Sequence, residues 1–272
     1  MQKKKYSIED LLSILRRLRG EDGCPWDRVQ THDSIKNCMI EESYEAIDAL
    51  EKGDDKMFAN ELGDLLFQVV FHSVLAEERG AFTFDDVVYE ISQKMIDRHT
   101  HVFGEDQAAD EKQALETWEA NKKKEKRLHS QTEAMRDVVA ALPALMRAQK
   151  VQKKAADVGF DWEDIHGAMD KVREEVDELA EAIGQNDAAH MEEELGDLLF
   201  ATVNVARFLH VSSEEALRHA TDKFIDRFDK VEQLAQQSGK ILSKMTLEEL
   251  ESLWQQAKTE KNKKYFRKLK EK

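Results

Sequence analysis

The chain has 272 residues, a formal net charge of -15 and 41% hydrophobic residues. This length suffices for two ordinary domains, and no stretch approaches the roughly 18 to 20 apolar residues of a membrane-spanning helix. The negative charge argues against direct binding of nucleic-acid phosphates, because such binding depends on clustered Lys and Arg. An anionic ligand would need a cation to mediate its binding.

The composition, with two prolines and 11 glycines, favours helix almost throughout, and no hairpin or strand alternation is visible. Apolar periodicity and capping signals predict helices, in chain order, at 7–19, 33–52, 55–79, 84–100, 111–126, 134–156, 166–185, 188–209, 213–236 and 247–264. The basic start, MQKKKYSIED, does not resemble a secretion signal. We therefore expect a cytoplasmic protein in which Cys24 and Cys38 are reduced.

One unit occurs twice in the sequence. Residues 41–66 read EESYEAIDALEKGDDKMFANELGDLL and residues 174–199 read EEVDELAEAIGQNDAAHMEEELGDLL, so each acidic position recurs 133 residues later. The four pairs are Glu42 with Glu175, Glu45 with Glu178, Glu61 with Glu194, and Asp64 with Asp197. The charge-rich stretch 121–137 between the copies suits a linker. We therefore predict two tandem all-α helical-bundle domains, 1–130 and 131–272.

Helical geometry predicts that the four acids of each copy converge. Residues three apart share a helical face, so Glu42 lies beside Glu45, and Glu61 lies beside Asp64. Gly53 marks a turn midway between Glu45 and Glu61, eight residues from each. An antiparallel hairpin therefore brings the two acidic pairs level, and the second copy repeats this spacing around its own turn.

Such a cluster of carboxylates is typical of a metal site. Ionised acids at the mouth of an apolar core repel one another unless a cation binds them, and all-oxygen ligands favour Mg²⁺, or Mn²⁺ as a substitute, over zinc. The alternative is that these Glu-rich helices only have solvated faces, which the repetition of all four positions disfavours. A di-iron site is also disfavoured, because the single Glu163-x-x-His166 motif has no partner.

Each copy also repeats a basic pair followed by a tryptophan and a lysine. These residues are Lys94, Arg98, Trp118 and Lys122 in the first copy, and Lys223, Arg227, Trp254 and Lys258 in the second. Cations near a metal site suit a phosphoanhydride substrate, but salt bridges to the same acids are an open alternative. The tryptophans either cover a base or cap the core. Trp26, in a segment marked as a loop by glycine and proline, has a loose counterpart in Trp162.

The motifs together resemble full-length, two-domain MazG proteins over residues 7–265. They are GCPWD at 23–27, EESYE, NELGDLLFQVVFH, LPALMRAQKVQKKAADVGFDW at 142–162, EEVDE and EEELGDLLFATVNVAR. The resemblance implies an all-α pyrophosphohydrolase that packs helices across a homodimer or higher homo-oligomer. It also implies Mg²⁺-dependent hydrolysis of canonical or aberrant nucleoside triphosphates to monophosphates and pyrophosphate, in nucleotide-pool housecleaning or stress-linked nucleotide control.

The resemblance also implies roles for the repeated residues. In the second copy Glu175, Glu178, Glu194 and Asp197 would bind metal, Lys223 and Arg227 the phosphates, and Trp254 with Lys258 would close the pocket. The matching residues of the first copy are Glu42, Glu45, Glu61, Asp64, Lys94, Arg98, Trp118 and Lys122. His190 departs from the family pattern of a lysine before the second acidic pair, and Met57 stands there in the first copy.

Family precedent favours the second copy as the main catalyst. Glu175 in the second copy, or Glu42 in the first, would orient or deprotonate the water that attacks the triphosphate. The alternative function is a nucleotide- or alarmone-sensing module with little turnover, and a ligand-free helical scaffold is a weaker one.

Overall fold

A computed structural model describes the backbone of residues 5–270 and the side chains of residues 5–259. Within these ranges the chain consists of helices and turns without a strand, so the predicted all-α class is confirmed. The chain separates into two compact units, Met1–Lys126 and Arg127–Lys272. The ranges 1–130 and 131–272 for the two family domains stay a prediction. No helix in the described part of the chain is long and apolar enough to cross a membrane.

The first unit contains seven helices in its described part. They are α1 (Ile8–Arg19), α2 (Pro25–Arg28), α3 (His32–Lys52), α4 (Asp55–Glu78), α5 (Phe84–Arg98), α6 (Thr100–Phe103) and α7 (Glu111–Glu125). Its core lies where α1 packs on α3 and α4, around the fully buried side chains of Leu15, Val70 and Phe71. Helix α5 extends beyond this core and packs on α6 and α7 as well as on α4.

The second unit contains six described α-helices and one 3-10 turn. They are α8 (Gln131–Arg136), α9 (Ala144–Ala156), α10 (Ile165–Gln185), α11 (Ala188–Phe208), α12 (Ser213–Gln237) and α13 (Leu247–Lys270), with the 3-10 turn at Leu242–Lys244. Helix α11 packs on α10 and α9, and α12 packs on α13 and α9. A small core forms where α12 meets α13, around Val231, Ala235, Leu253 and Ala257.

Two local predictions about the helices are wrong. The single helix predicted over 134–156 is two helices, α8 and α9, because Pro143 has no N–H to donate and disfavours the helical conformation in Leu142 before it. Pro143 instead precedes the first turn of α9. Trp26 lies in the short helix α2, which begins at Pro25, and not in a loop.

Two matching hairpins dominate the architecture, α3 with α4 and α10 with α11. Gly53 ends α3 in the left-handed conformation, with φ of 67°, and Asn186 ends α10 in the same way, with φ of 55°. The side chains of Asp54 and Asp187 then cap the following helices by accepting bonds from backbone N–H groups. The predicted turns are therefore confirmed, and each holds two acid-bearing helices antiparallel.

Candidate active site

The first hairpin brings three of its four repeated acids together. One carboxylate oxygen from each of Glu42, Glu45 and Glu61 lies within 4.8 Å of the other two. Asp64 lies beside this group, and its negative charge raises the pKa of Glu42 more than any other single charge does. Asn60 donates a hydrogen bond of 3.1 Å to the carboxylate of Asp64. Three of the four acids of α3 and α4 thus converge as their spacing predicts, and the fourth, Asp64, lies outside the close group.

The second hairpin forms the corresponding group from Glu175, Glu194 and Asp197, with one oxygen of each within 4.8 Å of the others. Glu178 lies beside this group, close enough that the charges of Glu175 and Glu194 raise the pKa of its carboxyl group. Glu175 is 3% exposed, and its Oε2 is buried without a hydrogen-bond partner. An almost fully buried carboxylate oxygen without a partner is suited to binding a cation. Neither acidic group includes a histidine.

Mutual repulsion acts on the first cluster. Burial raises the pKa of Glu42, and the charges of Asp64, Glu45, Glu61 and then Glu41 raise it further. The four charges with the largest effects on Glu42 are all negative. Within the described side chains, no Lys or Arg forms an ion pair with the four acids of this copy.

We expect Glu42→Gln to raise the melting temperature of the metal-free protein at neutral pH. A raised pKa means that the folded chain binds this proton more tightly than the unfolded chain, so ionised Glu42 destabilises the fold above the ordinary pKa of 4.5. The difference in melting temperature between the variant and the wild type should shrink as the pH falls and vanish below pH 4.5. Thermal unfolding in EDTA, followed by circular dichroism at both pH values, checks this, and equal melting temperatures at neutral pH would contradict it.

The second cluster, unlike the first, has a lysine and a histidine beside its acids. Lys171 lies 2.5 Å from Glu175 and 2.9 Å from Glu174, and the Nε2 of His190 lies 3.0 Å from Glu194. Hydrogen bonds to Glu175 and then Glu174 raise the pKa of Lys171 well above its ordinary value. The positive charge of Lys171 also lowers the pKa of Glu178. Burial and the charge of Glu175 have larger effects in the opposite direction, so the pKa of Glu178 is raised overall.

Lys171 was not predicted from the repeat, because the first copy has no basic residue at the corresponding position. The first copy has Cys38 at that position and Met57 at the position of His190. The i,i+4 spacing of Lys171 and Glu175 on one helix was the available signal. The two clusters therefore have equivalent acids, but only the second has a lysine paired with one of them.

The basic and aromatic residues of the first copy form a separate group on α5 and α7. Arg98 binds Glu125 through Nε at 2.8 Å and through a terminal nitrogen at 3.1 Å, and it lies 5.2 Å from the ring centre of Trp118. Lys122 covers the same ring at 4.8 Å. Lys94 lies 3.9 Å from Glu90 on its own helix. Neither member of the basic pair forms an ion pair with the clustered acids.

The second copy repeats this arrangement on α12 and α13. Arg227 and Lys258 lie 5.9 Å and 5.8 Å from the ring centre of Trp254, which also packs beside Phe224. The Nε of Arg227 is buried without a partner, and Lys223 is exposed. Trp254 contacts the small core of this unit, so it caps that core as well as facing the cations.

Comparison with known proteins identifies the family. The model of the MazG nucleotide pyrophosphohydrolase domain matches residues 30–103 and 164–232. The chain belongs to the MazG family. The two matched ranges contain both acidic clusters and both basic pairs, whereas the four residues around the tryptophans, Trp118, Lys122, Trp254 and Lys258, lie outside them.

Relatives of this MazG chain extend over nearly its whole length. It is 45% identical to the nucleoside triphosphate pyrophosphohydrolase/pyrophosphatase MazG of Thermotoga maritima, over 95% of this chain and 98% of the relative. It is 46% identical to the nucleoside triphosphate pyrophosphohydrolase of Escherichia coli K12, over 92% of this chain and 97% of the relative. It is equally similar to about half of a Bacillus subtilis protein, YabN, matching 93% of this chain and 52% of that one.

Proposed function

We propose that this MazG protein hydrolyses nucleoside triphosphates to nucleoside monophosphates and pyrophosphate, with Mg²⁺ as its cofactor. The observation that carries the proposal is the pair of three-carboxylate groups, each with ligand atoms within 4.8 Å. The names of the Thermotoga and Escherichia relatives agree with this chemistry. Canonical and aberrant nucleotides both belong to the proposed substrate range, in nucleotide-pool housecleaning or stress-linked nucleotide control.

The residues present fit a hard divalent cation. Both groups consist of carboxylates alone, which suit Mg²⁺ and its substitute Mn²⁺ better than zinc. The unpartnered Oε2 of Glu175 is a ligand atom that the protein leaves unsatisfied. In the second copy the proposed ligands are Glu175, Glu178, Glu194 and Asp197. In the first copy they are Glu42, Glu45, Glu61 and Asp64.

The proposed mechanism assigns distinct tasks to these side chains. Bound Mg²⁺ would neutralise the triphosphate and make a water molecule more acidic. Glu175, or Glu42 in the first copy, would orient or deprotonate the water that attacks in line and breaks the α–β anhydride. Lys223 and Arg227 would bind phosphate oxygens, and Trp254 with Lys258 would close the pocket.

A homodimer or higher homo-oligomer is part of the proposal. Both hairpins expose large apolar side chains, including Ile40 and Leu66 in the first and Val176 and Leu199 in the second. Soluble proteins rarely leave such residues clustered on a surface. Within the second unit, α12 packs mainly on α13 and α9 and less on α11, and the charges with the largest effects on the pKa of Glu178 come from α10 and α11. A second copy would bring the basic pair to the acids.

A cytoplasmic location also belongs to the proposal, and it agrees with the free thiols of Cys24 and Cys38.

The direct test measures pyrophosphate release from each of the common nucleoside triphosphates. We expect release in Mg²⁺ and its loss in excess EDTA, because the clustered acids and the triphosphate are all anionic. Restoring Mg²⁺, or adding Mn²⁺, should recover the activity. Equal rates in Mg²⁺ and EDTA would contradict the metal role. Tight binding of the Mg²⁺ nucleotide without pyrophosphate release would instead identify a sensing module.

A further inference from the structure

A cavity of about 460 Å³ lies within the second unit, between α9, α11 and the loop that ends in Trp162. Its volume is within the range of small-molecule sites, which is roughly 300–1,000 Å³. The side chains that matter here are Gln152 and Ala155 of α9, Phe160 and Trp162 of the loop, and Phe200 and Asn204 of α11. None of them belongs to the acids, the basic pairs or the tryptophan–lysine pairs of the proposed hydrolytic site.

The first copy fills the corresponding space with side chains. Ala155 stands four residues before the Gly159-Phe-Asp-Trp motif, where the first copy has Arg19 four residues before Gly23-Cys-Pro-Trp. Asn204 corresponds to Phe71 at the constant repeat offset of 133. In the first copy Arg19 lies 5.4 Å from the ring centre of the fully buried Phe71. Replacement of this packed pair by the smaller Ala155 and Asn204 opens the cavity.

A polar group in the cavity wall lacks a partner. Gln152 is 7% exposed, and its Nε2 donates a 2.7 Å hydrogen bond to the backbone oxygen of Phe200. Its Oε1 is buried without a hydrogen-bond partner. Leaving a buried acceptor unsatisfied is unfavourable, so a ligand that supplies an N–H donor is favoured here. The Oδ1 of Asn204 accepts a 2.9 Å bond from Arg207, which leaves the amide nitrogen of Asn204 as a donor.

Three aromatic side chains also line the cavity and are partly exposed. Phe160 is 83% exposed, Trp162 48% and Phe200 45%. The ring of Trp162 packs directly over Gly167, where an added Cβ would lie only 2.9 Å from a ring carbon. Aromatic faces held in this way favour a flat ring as the ligand. A planar heterocycle with an N–H donor beside an acceptor can stack on the aromatic rings and form hydrogen bonds with the side-chain amides of Gln152 and Asn204.

The cavity follows the acidic cluster along α11. Asp197, Phe200 and Asn204 are spaced by three and four residues, so they lie on one face of the helix. Seven residues of helix separate Asp197 from Asn204 by about 10 Å. A nucleoside triphosphate with its phosphates at the acids would have its sugar and base directed along this face.

We propose that the cavity binds the nucleobase of the triphosphate, and that Gln152 and Asn204 read its hydrogen-bonding edge. This inference rests on the proposed function, since it places the base relative to the metal cluster. The proposal also gives the two copies different tasks. The first copy has the acids, but the side chains of Arg19 and Phe71 occupy the space that corresponds to the base pocket.

The test uses phosphate-free nucleosides as probes and compares wild-type protein with Asn204→Phe. Adenosine, guanosine, cytidine and uridine are titrated separately into metal-free protein by calorimetry and by saturation-transfer NMR. We expect at least one to bind, and Asn204→Phe, which restores the side chain of the first copy, to weaken it about tenfold or more. The same variant should raise KM for the triphosphate with little change in kcat.

Two further variants keep the result interpretable. Ala155→Leu fills the cavity from the opposite wall, so it should reproduce the loss even if Asn204→Phe misfolds, which circular dichroism would reveal. Glu194→Gln, at the proposed metal site, should still bind the nucleoside. Failure of all four nucleosides to bind wild-type protein, or unchanged binding to both filled variants, would overturn the base pocket. Nucleoside binding without hydrolysis of any triphosphate would support the pocket and overturn the proposed function.

Discussion

Glu194→Gln is expected to lower kcat for pyrophosphate release by about 10²–10³-fold, the loss typical of removing one group that organises charge in a transition state. Glu194 is 9% exposed and shares the second acidic group with Glu175 and Asp197. The amide of glutamine keeps the shape of the side chain but is a poorer metal ligand. Steady-state assays at saturating Mg²⁺ give kcat, and Mn²⁺ titration followed by electron paramagnetic resonance reports metal binding separately.

The matched control is Glu61→Gln, because Glu61 occupies the same repeat position in the first copy. The cavity, Lys171 and His190 occur beside the second cluster, so we expect the first-copy variant to lose much less activity. Unchanged turnover in Glu194→Gln, with a large loss in Glu61→Gln, would assign catalysis to the first copy instead.

A mixing experiment extends this prediction to the oligomer. Glu194→Gln and the double variant Lys223→Ala/Arg227→Ala should each be inactive alone. If a partner chain supplies the basic pair, a mixed dimer contains one site with intact acids and intact bases, and activity returns on mixing. If both sets come from one chain, every site in the mixture stays defective.

Much of this architecture follows from local sequence. The hairpins and acid clusters were predictable because both depend on short-range geometry: residues three apart share a helical face, and Gly53 or Asn186 places two such faces level. The left-handed conformations of these turn residues confirm the reasoning. A single proline accounts for the main error in the helices, since periodicity over 134–156 continued across Pro143.

Other parts of the site depend on packing between distant segments, so they could not be predicted. The cavity arises from the combined small size of Ala155 and Asn204, which lie on different helices and are unremarkable singly. The basic pairs lie on α5 and α12, which contact the acid-bearing helices α4 and α11 but also pack on other helices. Whether they meet the acids depends on this packing, which the repeat does not specify. Repetition does not reveal Lys171, because its counterpart in the first copy is Cys38, which packs against the core of the first unit.

The second large effect is expected for Lys171→Met, which should destabilise the metal-free protein by about 2 kcal/mol. Removing one partner of a buried ion pair costs about 3–5 kcal/mol because the other charge is left uncompensated. The loss should be smaller here, since the Lys171 side chain is 38% exposed although that of Glu175 is only 4% exposed. The pKa of Lys171 in the folded chain is raised above its ordinary value of 10.5. The stabilisation by this ion pair is therefore fully present at neutral pH, and it is lost only as the pH rises through the raised pKa.

Urea unfolding of Lys171→Met in EDTA and in Mg²⁺ separates this role from simple helix propensity. We expect Mg²⁺ to restore most of the lost stability, because an ion bound to Glu175 replaces the missing ammonium group. Arg173→Met is the control on the same helix: its ion pair with Asp170 is largely exposed, so its removal should change stability by at most about 0.5 kcal/mol. An equal loss for both variants, unaffected by Mg²⁺, would show that Glu175 needs no cation. Recovery confined to Lys171→Met would place the divalent ion at the carboxylate that Lys171 neutralises in the metal-free chain.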